Sequence, residues 1–139
     1  MNVKRFWLSC GAVYVVAQVL GFLIHNLLLA GTYASLSEVW RPEAEMMSKM
    51  GLMFLTSAVW TVLFCYIFTR GYEGKGAMEG IRYGLLVGIF FGIPFSYESW
   101  VIYPITLGLA HAWAISTIAV CMVYGLVVAL IYRPQPAVE

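Results

Sequence analysis

Residues 80–96 read GIRYGLLVGIFFGIPFS, an apolar stretch with a small residue at every fourth position. Together with the apolar residues that follow, it is long enough to cross a membrane, which takes about 20 mainly apolar residues in a helix. Residues four apart share one face of a helix. The members of this glycine face are Gly80, Gly84, Gly88, Gly92 and Ser96. Because small residues let another backbone approach closely, the face either packs inside a bundle or docks a second copy or a different subunit.

Three other stretches are equally apolar and of similar length. The predicted spans are 6–30, 48–68, 81–103 and 105–132, and Pro94 bends the third. A segment in hydrocarbon must satisfy its own backbone hydrogen bonds, so these spans are helices. The alternating pattern of β-barrel strands is missing. We predict an all-α integral membrane protein, a four-transmembrane-helix bundle that forms one domain over 1–139.

The composition agrees with this architecture. Of the 139 residues, 62% are hydrophobic and 11% are charged, whereas soluble domains average roughly 45–50% apolar and 25% charged residues. Lipid must therefore cover the excess apolar surface. The net charge of +1 argues against nucleic acid as a partner, because duplex binding needs a basic surface. Cys10, Cys65 and Cys121 form no vicinal pair, which counts against a thiol oxidoreductase.

Basic residues are distributed unevenly between the two predicted sides. The side with both termini carries Lys4, Arg5, Arg70, Lys75, Arg82 and Arg133, and the other side carries Arg41 and Lys49. Since cytoplasmic loops of membrane proteins are enriched in Lys and Arg, we expect both termini to be cytoplasmic. The loop at 70–80 then faces the cytoplasm as well, and the longer loop at 31–47 faces outside.

Polar residues of the first span lie on one helical face. Tyr14, Gln18 and His25 are four and seven residues apart, a spacing that points them away from lipid. Gln18 falls near the middle of the bilayer and needs a hydrogen-bond partner on a neighbouring helix. The main interpretation is a structural cross-helix bond. The alternative is a polar path for protons or a small solute that also includes Glu98.

Three ionisable residues on different spans are predicted at one depth. His25, His111 and Glu98 all lie roughly 7–9 Å below the outer surface at a rise of 1.5 Å per residue. Two imidazoles and a carboxylate suit zinc or iron, and two histidines on separate helices suit a haem iron. Thioethers at Met46 and its stripe neighbours Met50 and Met53 would, with imidazole, suit copper(I). The competing interpretation is a structural polar cluster.

Several segments are together similar to a known group of proteins. They are His25 with Tyr33, Trp40-Arg41-Pro42 with Met46, Tyr66-Ile67-Phe68, and the glycine-containing segments 71–76 and 79–84. Over most of its length the chain resembles a group of small bacterial four-span membrane proteins. The resemblance implies a bacterial inner membrane. It implies no activity and no site residue.

The sequence lacks the motifs that would indicate an enzyme. It contains no G-x-S-x-G, H-E-x-x-H or paired E-x-x-H motif, which are the signatures of hydrolases, zinc proteases and di-iron proteins. We therefore predict a non-enzymatic accessory or assembly subunit of a larger membrane complex, or a homo-oligomer, that docks by its glycine face. The alternatives are a metal- or haem-binding protein that uses His25, His111 and Glu98, and a small-solute or proton carrier.

Overall fold

The structure is a computed structural model that describes residues 2–132. Within that range lie four helices that are long and apolar enough to cross a membrane: Val3–Leu28, Glu43–Arg70, Ala77–Ile102 and Leu107–Ile131. The prediction of an all-α chain with four such helices is confirmed, and their length and composition are those of a multi-pass membrane protein. Arg133, which contributes to the predicted orientation, lies outside the described residues.

The described residues form four long α-helices and one short one. In order they are α1 (Val3–Phe22), α2 (Ala30–Ser35), α3 (Glu43–Arg70), α4 (Ala77–Ile102) and α5 (Leu107–Ile131). α1 continues as π-helix over Leu23–Leu28, and α2 is followed by a 3₁₀ turn over Ser37–Val39. The four long helices alternate in direction. We call the end with Val3 and Ile131 the terminal end, and the end with Leu28 the distal end.

α3 begins at Glu43, five residues before the predicted start of its span. Pro42 precedes the helix in an extended conformation, and Glu43 and Glu45 occupy the first turn. Carboxylates at a helix N-terminus interact favourably with the helix dipole. The helix therefore starts in the charged segment that hydropathy alone leaves to the loop.

α4 and α5 pack with their backbones in contact. A Cβ atom added at Gly80 would lie 2.0 Å from the carbonyl oxygen of Gly125, and one added at Gly84 would lie 2.1 Å from that of Cys121. Only glycine permits so close an approach. All five residues of the glycine face are buried: Gly80, Gly84, Gly88, Gly92 and Ser96. The face is therefore covered by α5 within the chain, which leaves a second chain no access to it.

The terminal half of the bundle is held by an aromatic cluster around Phe64. Its ring centroid lies 4.8 Å from that of Tyr83 on α4 and 6.1 Å from that of Tyr124 on α5. The Tyr83 hydroxyl also donates a 2.6 Å hydrogen bond to the carbonyl of Phe64. At the same end, Arg5 donates to the carbonyl of Ile131 at 3.2 Å. All four long helices are thus joined at the terminal end.

The connection between α3 and α4 is an ordered turn. Gly74 and Gly76 have φ angles of 77° and 74°, which side chains other than glycine rarely adopt. The buried carboxylate of Glu79, in the first turn of α4, accepts hydrogen bonds from the backbone N–H groups of Glu73 (2.5 Å) and Lys75 (2.7 Å). The two glycines and this carboxylate together give the loop one defined shape.

Candidate functional site

The distal end has a small hydrophobic cluster of its own. Its buried members are Leu29, Ile105 and Leu109. The α2 segment and the 3₁₀ turn after it pack on this cluster, and they carry Tyr33 and Trp40 to the side of Trp113 on α5. The segment between the first two spans therefore caps α1 and α5 and gives two aromatic residues fixed positions.

Tyr33 connects two other aromatic side chains by hydrogen bonds. The Trp113 indole donates to the Tyr33 hydroxyl oxygen at 2.8 Å, and that oxygen lies 2.6 Å from Nδ1 of His25. Burial raises the pKa of Tyr33, so the phenol keeps its proton. An indole N–H only donates, so the Tyr33 oxygen accepts from Trp113. The direction of the hydrogen bond between Tyr33 and His25 Nδ1 follows the tautomer of the imidazole.

His25 lies within the π-helical segment Leu23–Leu28. A π-helix inserts an extra residue per turn and is found mostly as short bulges, often at functional sites. In this chain it re-aims the side chains after Phe22, and His25 reaches the ring of Tyr33, with the ring centroids stacked at 5.9 Å. A regular helix, as the sequence predicts for 6–30, would orient His25 differently.

His111 is bonded to the backbone of its own helix. Its Nδ1 lies 2.7 Å from the carbonyl oxygen of Leu107, and a carbonyl only accepts, so Nδ1 carries the proton. Neutral His111 therefore has its lone pair on Nε2. The ring also stands edge-on to Tyr97 of α4, with centroids 5.5 Å apart. His111 thus offers an acceptor on Nε2 that could bind a metal.

Glu98 lies on the exposed side of α4. It is two positions after the buried Ser96, and two residues correspond to about 200° around a helix, so it faces away from α5. It lines a shallow groove with Tyr97, Val101 and Ile102. Residues 2–132 contain no group of three or more His, Cys, Asp or Glu that could hold a metal ion. The structure does not bring His25, His111 and Glu98 together, and metal or haem binding stays a prediction.

The polar residues of α1 bond to α3. The Tyr14 hydroxyl donates to the carbonyl of Phe54 at 3.4 Å, and the Gln18 amide donates to the hydroxyl of Ser57 at 3.0 Å. Both are cross-helix bonds, and Gln18 has the partner on a neighbouring helix that the sequence requires. A polar path along these residues stays a prediction.

One face of α3 is buried in the terminal half of the helix and largely exposed in the distal half. In the terminal half Thr61, Phe64 and Phe68 are buried, with Phe64 only 3% exposed. The same face continues to Met46, Met50 and Met53, since these residues are three or four positions apart along the helix. We call these three the methionine face. Met53 is 62% exposed and Met46 is 42% exposed, whereas Met50 is half-buried, so this face of α3 is only partly covered in its distal half.

A charged stripe occupies another side of the same segment. Glu45 binds both Arg41, at 2.5 Å, and Lys49, at 2.8 Å. These residues are four apart, so their side chains cover one side of the first two turns. The distal part of α3 therefore carries a polar stripe beside an apolar methionine face.

Comparisons with known proteins give no assignment for this chain. Protein-family models, curated proteins and solved structures were each searched, and none matches it. The resemblance to small bacterial four-span membrane proteins therefore stays a prediction, and the side-chain geometry carries the functional argument.

Proposed function

We propose that this chain is a non-enzymatic accessory or assembly subunit that binds a transmembrane helix of another membrane protein along the methionine face. The supporting observation is the change of environment along α3. A face that packs on the bundle at Phe64 and Phe68 continues, without a change in character, to the exposed Met46 and Met53. A neighbouring helix from a partner would restore the packing that the terminal half already has.

The chemistry of the methionine face suits a protein partner. Methionine is unbranched and polarisable, so it fits irregular surfaces and is common at binding surfaces that adapt to their partners. Residues 43–56 extend for about 21 Å at 1.5 Å per residue, enough for several turns of a partner helix. The glycine face has no part in this proposal because α5 covers it.

The proposal includes a location and an orientation. We place the chain in a bacterial inner membrane, with both termini and the loop at 71–76 in the cytoplasm, because basic residues concentrate on that side and cytoplasmic loops carry such an excess. The methionine face then lies in the outer leaflet. Accessibility of single cysteines at the 71–76 loop and at Ser37, in intact cells, tests this orientation. We expect an impermeant reagent to label Ser37→Cys and not the loop cysteine. Labelling of the loop cysteine alone would show that the chain has the opposite orientation.

Site-specific photo-crosslinking in native membranes tests the docking. A photoreactive amino acid at Met50 is expected to give a protein adduct of defined mass, which mass spectrometry identifies. The same amino acid at Leu86, on the exposed side of α4, is the matched control and should give none. An adduct of twice the chain mass identifies a second copy as the partner. Lipid adducts alone at Met50 would refute docking at this face.

A second candidate function is metal binding, and one observation favours it. The Leu107 carbonyl fixes the Nδ1 proton of His111, which is the arrangement that orients histidine ligands toward metals. Metal content and the visible spectrum of purified protein, beside a His25→Ala/His111→Ala variant, test this function. Stoichiometric metal that disappears in the variant supports it, and equal metal in both samples removes it.

A further inference from the structure

A cavity of about 240 Å³ lies among the four long helices, and it is closer to an open groove than to an enclosed chamber. Every long helix contributes to its walls. The lining residues are Ala17, Ser57, Trp60, Phe91, Thr117, Val120, Cys121 and Tyr124.

The cavity lies near the middle of the spans. Thr117 is ten residues from the start of α5 and Ala17 is fourteen from the start of α1, which correspond to about 15 Å and 21 Å along the helix axes. The hydrocarbon core of a bilayer is about 30 Å thick, so the cavity is close to its centre. A site open at that depth faces the hydrocarbon of the bilayer, so a ligand reaches it from the lipid.

Hydroxyl groups stand among the apolar walls. Three of the lining residues carry hydroxyl groups, namely Ser57, Thr117 and Tyr124, and the Ser57 oxygen already accepts from Gln18. One turn further along α3, the buried hydroxyl of Thr61 has no hydrogen-bond partner among the described residues. Polar groups inside a membrane are costly unless they face one another, water or a ligand. A hydrocarbon chain would leave these donors unused, whereas carbonyl oxygens would accept from them.

The size and the lining residues of the cavity favour a ligand that contains a ring. An apolar cavity of about 150 Å³ holds one benzene molecule, so the volume here leaves room for a six-membered ring with substituents. Trp60 and Tyr124 stand edge to face, with centroids 5.8 Å apart, and Phe91 adds a third aromatic side chain. Aromatic rings in this arrangement bind a further ring by its edge or face.

We propose that this cavity binds the head group of a lipophilic quinone, a single six-membered ring with two carbonyl oxygens, while its apolar tail remains in the bilayer. The open side of the cavity lets the tail leave the protein sideways. In this proposal the hydroxyls of Ser57 and Thr117, both on lining residues, donate to the carbonyl oxygens. This site is independent of docking at the methionine face, and it is tested on the purified chain alone.

Tryptophan fluorescence measures the binding directly, because Trp60 is part of the wall and quinones quench indole emission. A decyl-substituted benzoquinone is titrated into the protein in lipid nanodiscs, and saturable quenching is expected. Trp60→Phe should lose the saturable component, whereas Trp100→Phe, on the exposed side of α4, should keep it. Quenching that stays linear with probe concentration, or that is equal in both variants, would mean that the probe only partitions into lipid and would overturn the site.

Two further variants distinguish binding of the quinone ring from binding of an apolar chain. Thr117→Val keeps the shape and removes one donor, and loss of one hydrogen bond of about 1 kcal/mol corresponds to about fivefold weaker binding. Ala17→Phe fills the cavity and is expected to abolish saturable quenching, with circular dichroism confirming that the variant remains folded. A decyl chain without the ring should not compete. Full competition by that chain, or unchanged affinity in Thr117→Val, would assign the cavity to an acyl chain and refute a quinone site.

Discussion

The two halves of α3 present one helical face to different surroundings. In the terminal half this face packs in an aromatic cluster, and in the distal half it carries equally apolar side chains that contact little. Lipid is as apolar as leucine, so burial of apolar surface does not by itself drive helices together in a membrane. The terminal half is held by shape and hydrogen bonds, as in the bond from Tyr83 to the Phe64 carbonyl. Apolar character places α3 in the bilayer, and specific contacts decide where it packs.

The largest expected effect is on the backbone contact of α4 with α5. Gly84→Leu would insert a side chain where a carbonyl oxygen lies 2.1 Å from the Cβ position. We expect a loss of about 3 kcal/mol or more in the free energy of unfolding, the upper range for overpacking. Gly51→Leu, in the distal half of α3, meets no atom within 4 Å, and it should gain roughly 0.5–1 kcal/mol from helix propensity. Thermal unfolding in detergent measures both, and equal shifts would contradict the comparison.

A pair of phenylalanines on α3 compares its two halves with identical chemistry. Phe64→Ala removes the centre of the terminal aromatic cluster and is expected to cost about 3 kcal/mol, as for large-to-small substitutions in packed cores. Phe54→Ala, in the exposed distal half, should change the free energy of unfolding by no more than about 0.5 kcal/mol. Denaturant titration of the two variants measures the difference. A cost at Phe54 that approached the cost at Phe64 would show that the distal half is packed after all.

The ordered loop at the terminal end is expected to depend on Glu79. Glu79→Gln leaves one carbonyl oxygen for the two backbone N–H groups that the carboxylate now binds, so we expect a loss of about 1–2 kcal/mol. Glu73 is the matched control, since its partner Lys75 lowers its pKa but the pair lies on the surface. Glu73→Gln should leave the unfolding temperature unchanged. If Glu79→Gln and Glu73→Gln have the same unfolding temperature, the Glu79 carboxylate does not stabilise the loop.

The smallest expected effect is at the distal cap and depends on pH. Tyr33→Phe removes the bond to His25 and leaves the Trp113 indole unpaired, at a cost of roughly 1 kcal/mol near neutral pH. Burial raises the pKa of Tyr33, so its contribution is fully present below the ordinary tyrosine pKa of about 10 and is lost as pH rises above it. The variant should therefore lose less stability than the parent between neutral and strongly alkaline pH. Tyr103→Phe, at an exposed site, should follow the parent.

Hydropathy and spacing were sufficient to predict the four spans and to group the glycine face. They did not predict which helix covers that face, although α5 contains a second stripe of small residues that indicates it. Cys121, Gly125 and Ala129 are also four residues apart, and they lie at the positions that contact Gly80 and Gly84. Two small stripes on neighbouring helices form one interface, and comparison of both stripes would have predicted it.

The candidate metal site shows where depth alone is insufficient. His25, His111 and Glu98 were grouped by height in the membrane, but rotation about each helix decides whether side chains meet. Glu98 is two positions from Ser96, so its direction away from α5 follows from helical geometry. The direction of His25 does not, because it depends on the π-helix at Leu23–Leu28, which no spacing in the sequence predicts. Tyr33 was missed as the partner of His25 for the same reason, although it is only eight residues away. Trp113 was missed as the partner of Tyr33 because those two residues are 80 apart.

The close contact of α4 and α5 also affects the order in which the chain folds. Only four residues, 103–106, join these helices, so their contacts are local in sequence and form with little loss of chain entropy. The pair is thus expected to assemble first, as a hairpin with its interface complete. α3 precedes this hairpin in the chain but has few anchors before Tyr83 and Tyr124 meet Phe64. Its distal half is therefore expected to be the last part to acquire neighbours, and the proposed partner would bind it at that stage.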